Sequence, residues 1–175
     1  MQTELDKVVA AVKEFYTREA FLLAHDFGER TLTHRLAVCV ERQFAGFEVD
    51  CNYDRLGART LRLPHGTIVS TDDHFGKSIY PDIVVHQREI PNNLLAIEVR
   101  KANNHQPIEH DEQKLHALTD PHLWFAYWIG LLLTLGKSAV TSSEVYVAGK
   151  REERLSVFLS QRLRAAGIGG VEQRA

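Results

Sequence analysis

Ile79-Tyr80-Pro81-Asp82-Ile83-Val84-Val85-His86 and Asn93-Leu94-Leu95-Ala96-Ile97-Glu98-Val99-Arg100-Lys101 are the two stretches whose reading decides the fold. Both are aliphatic, β-branched runs of strand length. Arg88 to Asn93 joins them, and Pro91-Asn92-Asn93 is turn chemistry, so the pair predicts a hairpin. Each run carries one carboxylate, and the second ends in a carboxylate, a valine and two cations. Side chains alternate along a strand, so Glu98 and Arg100 share a face while Lys101 starts on the opposite one. Charges are rare among buried aliphatics unless they are paired or bound to a metal. If the strands pair, Asp82 and Glu98 come side by side, and two like charges at that range need a cation between them. Mg²⁺, with Mn²⁺ as a substitute, takes carboxylate oxygens, water and substrate phosphate, and suits that position. The plainer alternative is a half-buried hairpin whose Asp82, Glu98 and Arg100 simply form ion pairs.

Outward from the hairpin, helices and strands are read from periodicity. Leu5, Val8, Val9, Val12, Phe15 and Tyr16 recur at helical spacing. Ala24 to Gly28 interrupts, and a second helix is predicted from about Glu29 to Phe44, ended by Gly46. Phe47 to Tyr53 reads as a strand, and Leu61-Arg62-Leu63 as a short strand inside the polar segment from Asp54 to His74. Pro107 to Thr119 predicts a helix with proline in its first turn. Ala126 to Leu135 reads as a strand rather than a buried helix, because it is short, aromatic-rich and flanked by Pro121 and Gly136. Glu144 to Ala148 reads as a strand, Arg151 to Ala166 as a helix, and Gly167 to Ala175 as a loose tail. The expectation is a single α+β domain over residues 1–175, opening with a helix, with a central mixed sheet of about five strands flanked by helices.

Composition narrows the function classes. The 175 residues are 44% hydrophobic and 25% charged with a formal net charge of −2, so any nucleic-acid binding must use a local basic patch or metal ions rather than overall charge. Cys39 and Cys51 match neither a zinc pattern nor a disulfide framework, which suggests reduced thiols and a cytoplasmic protein. The opening MQTELDKVV lacks the basic start and apolar core of a secretory signal. The longest apolar run, Leu123 to Leu135, has 13 residues, against about 20 for a membrane helix, so no membrane association is expected.

Pro81-Asp82 followed by Glu98-Val99-Arg100, with Lys101 next, resembles the motif of the PD-(D/E)XK nuclease superfamily, the restriction-endonuclease-like fold. The order of elements over roughly residues 26 to 150 is similar too. The resemblance implies a Mg²⁺-dependent endonuclease that hydrolyses phosphodiester bonds of DNA or RNA, DNA in the first place. Asp82 and Glu98 would be metal ligands, and Arg100 or Lys101 the catalytic cation. Members of the superfamily often add an acid from the preceding helix, and Glu29 is the candidate. Alternatively, Asp26-Phe27-Gly28-Glu29 is a capping box.

Arg100 stands where the motif carries lysine, and an arginine cannot give up its proton. Arg100 can act as an electrostatic stabiliser, Lys101 can reach in at a bulge, or Lys114 on the following helix can supply the amine. Otherwise the chain is a catalytically reduced module that binds nucleic acid or a protein partner. Gln113 and Lys114 are candidate supporting groups, against the blander reading of a solvated helical face. Arg55, Arg59 and Arg62 sit in a basic stretch that could contact phosphates. Asp50 and Asp54 are weaker candidate acids. Trp124, Phe125, Tyr127 and Trp128 read as core or an oligomer contact before a base-stacking platform. His105 and His110 lack zinc spacing, and specificity is left to a homodimer or a larger complex.

Overall fold

The computed structural model describes residues 1–53, 55–56, 59–60, 79–88 and 90–170, with side chains left undescribed at 55–56 and 59–60. Three helices open the chain: α1 (Gln2–Arg18), α2 (Ala20–Ala24) and α3 (Glu29–Gln43). The strands β1 (Glu48–Cys51), β2 (Arg55–Leu56), β3 (Arg59–Thr60), β4 (Ile83–Gln87) and β5 (Asn92–Lys101) follow. After helix α4 (Glu109–Leu118) come β6 (Ile129–Leu135), β7 (Val140–Val147), β8 (Lys150–Arg151) and helix α5 (Glu153–Ala165).

Among the described residues six strands form one mixed sheet in the order β1-β4-β5-β6-β7-β8, and β2 pairs with β3. The β4–β5 hairpin is present as expected, and β5 and β6 run parallel. A parallel pair needs a crossover, and α4 is that crossover. The alternation of β5 sorts the two layers. Leu95, Ile97 and Val99 pack into a core with α1, α3 and α5, while Ala96 joins Val84, Leu115, Leu118 and Leu132 in a second core under α4. With both faces covered, the strand reads as a nearly continuous apolar run. Gly130 on β6 lets α4 sit close, since a Cβ there would lie 2.9 Å from Thr119 Cγ2 and 3.2 Å from Leu115 Cδ2.

Several boundaries differ from the sequence reading. Residues 79–82 precede β4 rather than belonging to it, so Asp82 stands just outside the ladder. The strand predicted from Glu144 begins at Val140, and the one predicted from Ala126 begins at Ile129. Gly167 to Gly170 is not a loose tail: Ile168 is buried, and Val140 exchanges backbone bonds with Ile168 O and Gly170 N–H, each 2.8 Å long. The buried Ile168 side chain and the two backbone bonds together hold this segment against β7. The expected strand Leu61-Arg62-Leu63 lies outside the described residues. Among the described residues no helix is long and apolar enough to cross a membrane.

Candidate active site

The register of the hairpin sets the geometry of the acids. Ile83 pairs with Ile97 and Val84 with Ala96, so one further step along the ladder brings Asp82 opposite Glu98. β4 ends there, while β5 runs on to Lys101, paired with β6 alone. Val99 and Lys101 are two residues apart, so their N–H groups point to the same edge of β5. That edge has lost its neighbour, and two carboxylates take over. Asp82 Oδ2 accepts from Val99 N–H at 2.8 Å, and Glu29 Oε2 accepts from Lys101 N–H at 3.0 Å. Glu29 also accepts from Asn104 Nδ2 at 3.0 Å. The capping box is not formed, because the N-cap of α3 is Gly28 and makes no side-chain bond.

Glu29, Asp82 and Glu98 line one cleft of about 470 Å³, together with Arg100, Asn104, Asp111 and Lys114. The cleft lies at the C-terminal end of β5, where the chain turns into α4. The cations are distributed differently from the motif's linear order. Arg100 is 7% exposed, and its guanidinium donates to Asp111 Oδ2 at 2.6 Å and to the carbonyls of Gln106 and Pro107. It therefore holds the β5–α4 turn. Lys101 points away and pairs with Asp26 at 2.7 Å, also donating to the carbonyl of Phe27. Lys114 is the cation beside Glu98: its ammonium donates directly to Glu98 Oε2. Both groups are buried, Glu98 at 1% and Lys114 at 7% exposure.

The cleft is short of positive charge. Four carboxylates line it against two cations, Arg100 and Lys114, leaving two negative charges uncompensated. Titration follows that balance. Burial raises the Asp82 carboxyl to about 6, against the pull of Val99 N–H and Lys114. Burial, and then the charge of Asp82, raises Glu98 well above the ordinary carboxylate range, and Lys114 only partly offsets this. For Lys114 burial alone would lower the ammonium, but the charges of Glu98, Asp82 and Asp111 outweigh it and hold it above its ordinary value. Lys114 is thus a fixed cation at neutral pH.

Among the described residues several buried polar atoms lack a hydrogen-bond partner, and one of them belongs to this cleft. Glu98 Oε1 is buried and has no hydrogen-bond partner among the described residues. A buried carboxylate oxygen left bare is costly. With Asp82 across the ladder, the two acids fit a small hard cation. Among the described residues no group of three or more His, Cys, Asp or Glu side chains is placed to hold a metal ion. Two carboxylates are nonetheless the usual protein share for Mg²⁺, with water and phosphate supplying the rest.

The remaining candidates fall elsewhere. Gln113 does not line the cleft. Asp50 accepts from His86 on β4 and from Arg88 just after it, away from the cleft. Phe125 and Tyr127 are core residues, whereas Trp124 and Trp128 are partly exposed. The side chains of Arg55 and Arg59 are undescribed, and Asp54 and Arg62 lie outside the described residues. Asn104 and Asp111 were missed as cleft residues. Asp111 had a signal, since it stands three residues before Lys114 and so shares its helical face. Asn104 had none, because its place depends on the path of a turn. Comparison with protein-family models, with curated proteins and with solved structures returned no match.

Proposed function

We propose that this protein is a divalent-metal-dependent phosphodiesterase acting on nucleic acid, DNA in the first place, with a PD-(D/E)XK type of site whose lysine comes from α4 rather than β5. The observation that carries the reading is Glu98: a buried carboxylate beside Asp82, with one oxygen on Lys114 and the other without a partner among the described residues. Asp82 and Glu98 would hold Mg²⁺, which when bound supplies an activated water and neutralises charge on the scissile phosphate. Lys114 stays protonated, so its part is electrostatic: it orients the water and offsets the charge that builds on the phosphate oxygens. Glu29 and Asn104 brace the loop after β5. Arg100 anchors α4 through Asp111, and with it the position of Lys114.

The test is cleavage of single- and double-stranded DNA and of RNA by purified protein in Mg²⁺, in Mn²⁺ and in EDTA. Cleavage in either metal, none in EDTA, and loss to background in Glu98→Gln is the expected result. Cleavage in EDTA, or full activity in Asp82→Ala, would overturn the reading. A binding module without catalysis is favoured by one feature: Lys114 already pairs with Glu98, as a purely structural partner would. Tight binding of an oligonucleotide without cleavage under any of these conditions would establish it.

A further inference from the structure

His110 is a side chain of the cleft that the proposed function leaves unused. It stands four residues before Lys114 on α4, so the two lie on the same helical face. Their depths differ. Lys114 is buried beside Glu98, whereas the His110 side chain is 46% exposed at the mouth. Asp111 connects them: its Oδ1 lies 3.6 Å from His110 Nδ1 and 3.6 Å from Lys114 Nζ, while its Oδ2 takes Arg100. The charged groups that line the cleft with His110 are Asp111 and Lys114 from α4, Arg100 and Glu98 from β5, Asp82 before β4, and Glu29 from α3.

Phosphodiester hydrolysis needs a group at each end of the reaction line, one by the attacking water and one by the leaving oxygen. Lys114 and Glu98 are buried in the cleft, whereas His110 is open to solvent. A leaving sugar oxygen departs as an alkoxide and is helped by a proton, which the cleft's other cations are not placed to give. Arg100 does not release protons, and the Lys114 ammonium is engaged with Glu98 and lies 3.6 Å from Asp111. Imidazole is the side chain suited to proton transfer near neutrality.

We infer that His110 is a catalytic residue, the general acid that protonates the leaving oxygen of the nucleic-acid substrate. The inference rests on the proposed phosphodiesterase reading. In the step, water oxygen bonds to phosphorus and its proton passes to bulk water. The bond from phosphorus to the leaving oxygen breaks with the electron pair on oxygen, and the His110 imidazolium N–H protonates it. The neutral imidazole then regains a proton from solvent.

The test compares wild type, His110→Ala and His110→Gln on two oligonucleotides in Mn²⁺. One is all-oxygen; the other carries a single bridging sulfur in place of the leaving oxygen, at the bond the wild type is mapped to cut. A thiolate leaves without protonation. Loss of about 10²- to 10⁴-fold in kcat on the oxygen substrate, with KM unchanged and rates within about threefold of wild type on the sulfur substrate, supports the role. Equal loss on both substrates, a rise in KM alone, or no loss overturns it while the phosphodiesterase reading stands. A wild type that cuts neither substrate overturns both. Because His110 is half in solvent, both variants are expected to melt with the wild type.

Discussion

Replacing Asp82 by asparagine should make the protein more stable at neutral pH. Asp82 and Glu29 are the acids of the cleft left without a cation, since Lys114 is taken by Glu98 and Arg100 by Asp111, and Asp82 is the one whose carboxyl burial raises. Its carboxyl titrates near 6, against 3.8 in an unfolded chain, mainly because it is buried. At about 1.4 kcal/mol per tenfold change in proton affinity, ionising it in the folded protein costs about 3 kcal/mol more than in the unfolded one. Between those two values the folded state binds more protons, so the wild type loses stability as pH rises from about 4 to about 6. Asparagine keeps an oxygen for Val99 N–H and removes the charge. The variant should match the wild type near pH 4, diverge across pH 4 to 6, and exceed it by about 2–3 kcal/mol at pH 7.5.

Urea denaturation at pH 4 and pH 7.5 measures this directly. Mg²⁺ should close the gap from the other side: a ligand at a hundred times its Kd stabilises by about 2.7 kcal/mol, and only the wild type retains the full ligand pair. An asparagine variant equal to or weaker than the wild type at pH 7.5 would refute the claim that Asp82 is held ionised at a cost.

Three further outcomes follow from the same geometry. Lys114→Met leaves Glu98 buried without a cation and should destabilise by about 3–5 kcal/mol in denaturant melts, with Glu98→Gln added to it recovering most of the loss; a cost below about 1 kcal/mol would show that the pair does not matter. Arg100→Lys cannot span Asp111 and two carbonyls at once, so it should cost about 1–3 kcal/mol and lower cleavage instead of raising it. A gain in cleavage by that variant would mean that the β5 position is the catalytic one after all. Gly130→Ala places a methyl against Thr119 and Leu115, which should cost about 1–3 kcal/mol and reduce kcat by shifting α4; unchanged thermal melting would contradict the close approach of helix to sheet.

The mixed sheet, the hairpin and the two acids facing each other were legible because a period of two over long aliphatic runs fixes both strand and facing. Asp82 just outside β4 was not, since a ladder's end depends on the length of its partner strands. The same limit hid the fate of Arg100 and Lys101. Alternation correctly put them on opposite faces, but which partner each meets depends on the turn after β5, where Gln106 and Pro107 present carbonyls and Asp26 waits across the sheet end. Local propensity carries no information about that path. The tail at Ile168 failed for a related reason: a lone aliphatic among glycines has no period to read.

The acids of this cleft have two separable explanations, and the distinction decides what the site is for. Asp82 and Glu29 have structural work, since each closes an N–H on the edge of β5 that β4 no longer covers. A protein with no chemistry to perform could keep both for that reason alone. Glu98 has no such work. Its side chain bonds to no backbone group, and one of its oxygens meets no donor among the described residues. A purely structural design would put an aliphatic residue there, since replacing a buried ion pair by packed apolar groups is often neutral or stabilising. Keeping Glu98 in place also requires Lys114, and Lys114 requires α4 to lie close over Gly130. The cation that a linear motif would place two residues along the strand is thus delivered from above by the crossover helix, to the same carboxylate. Under the proposed phosphodiesterase reading an ammonium is needed at Glu98, and here α4 rather than β5 supplies it.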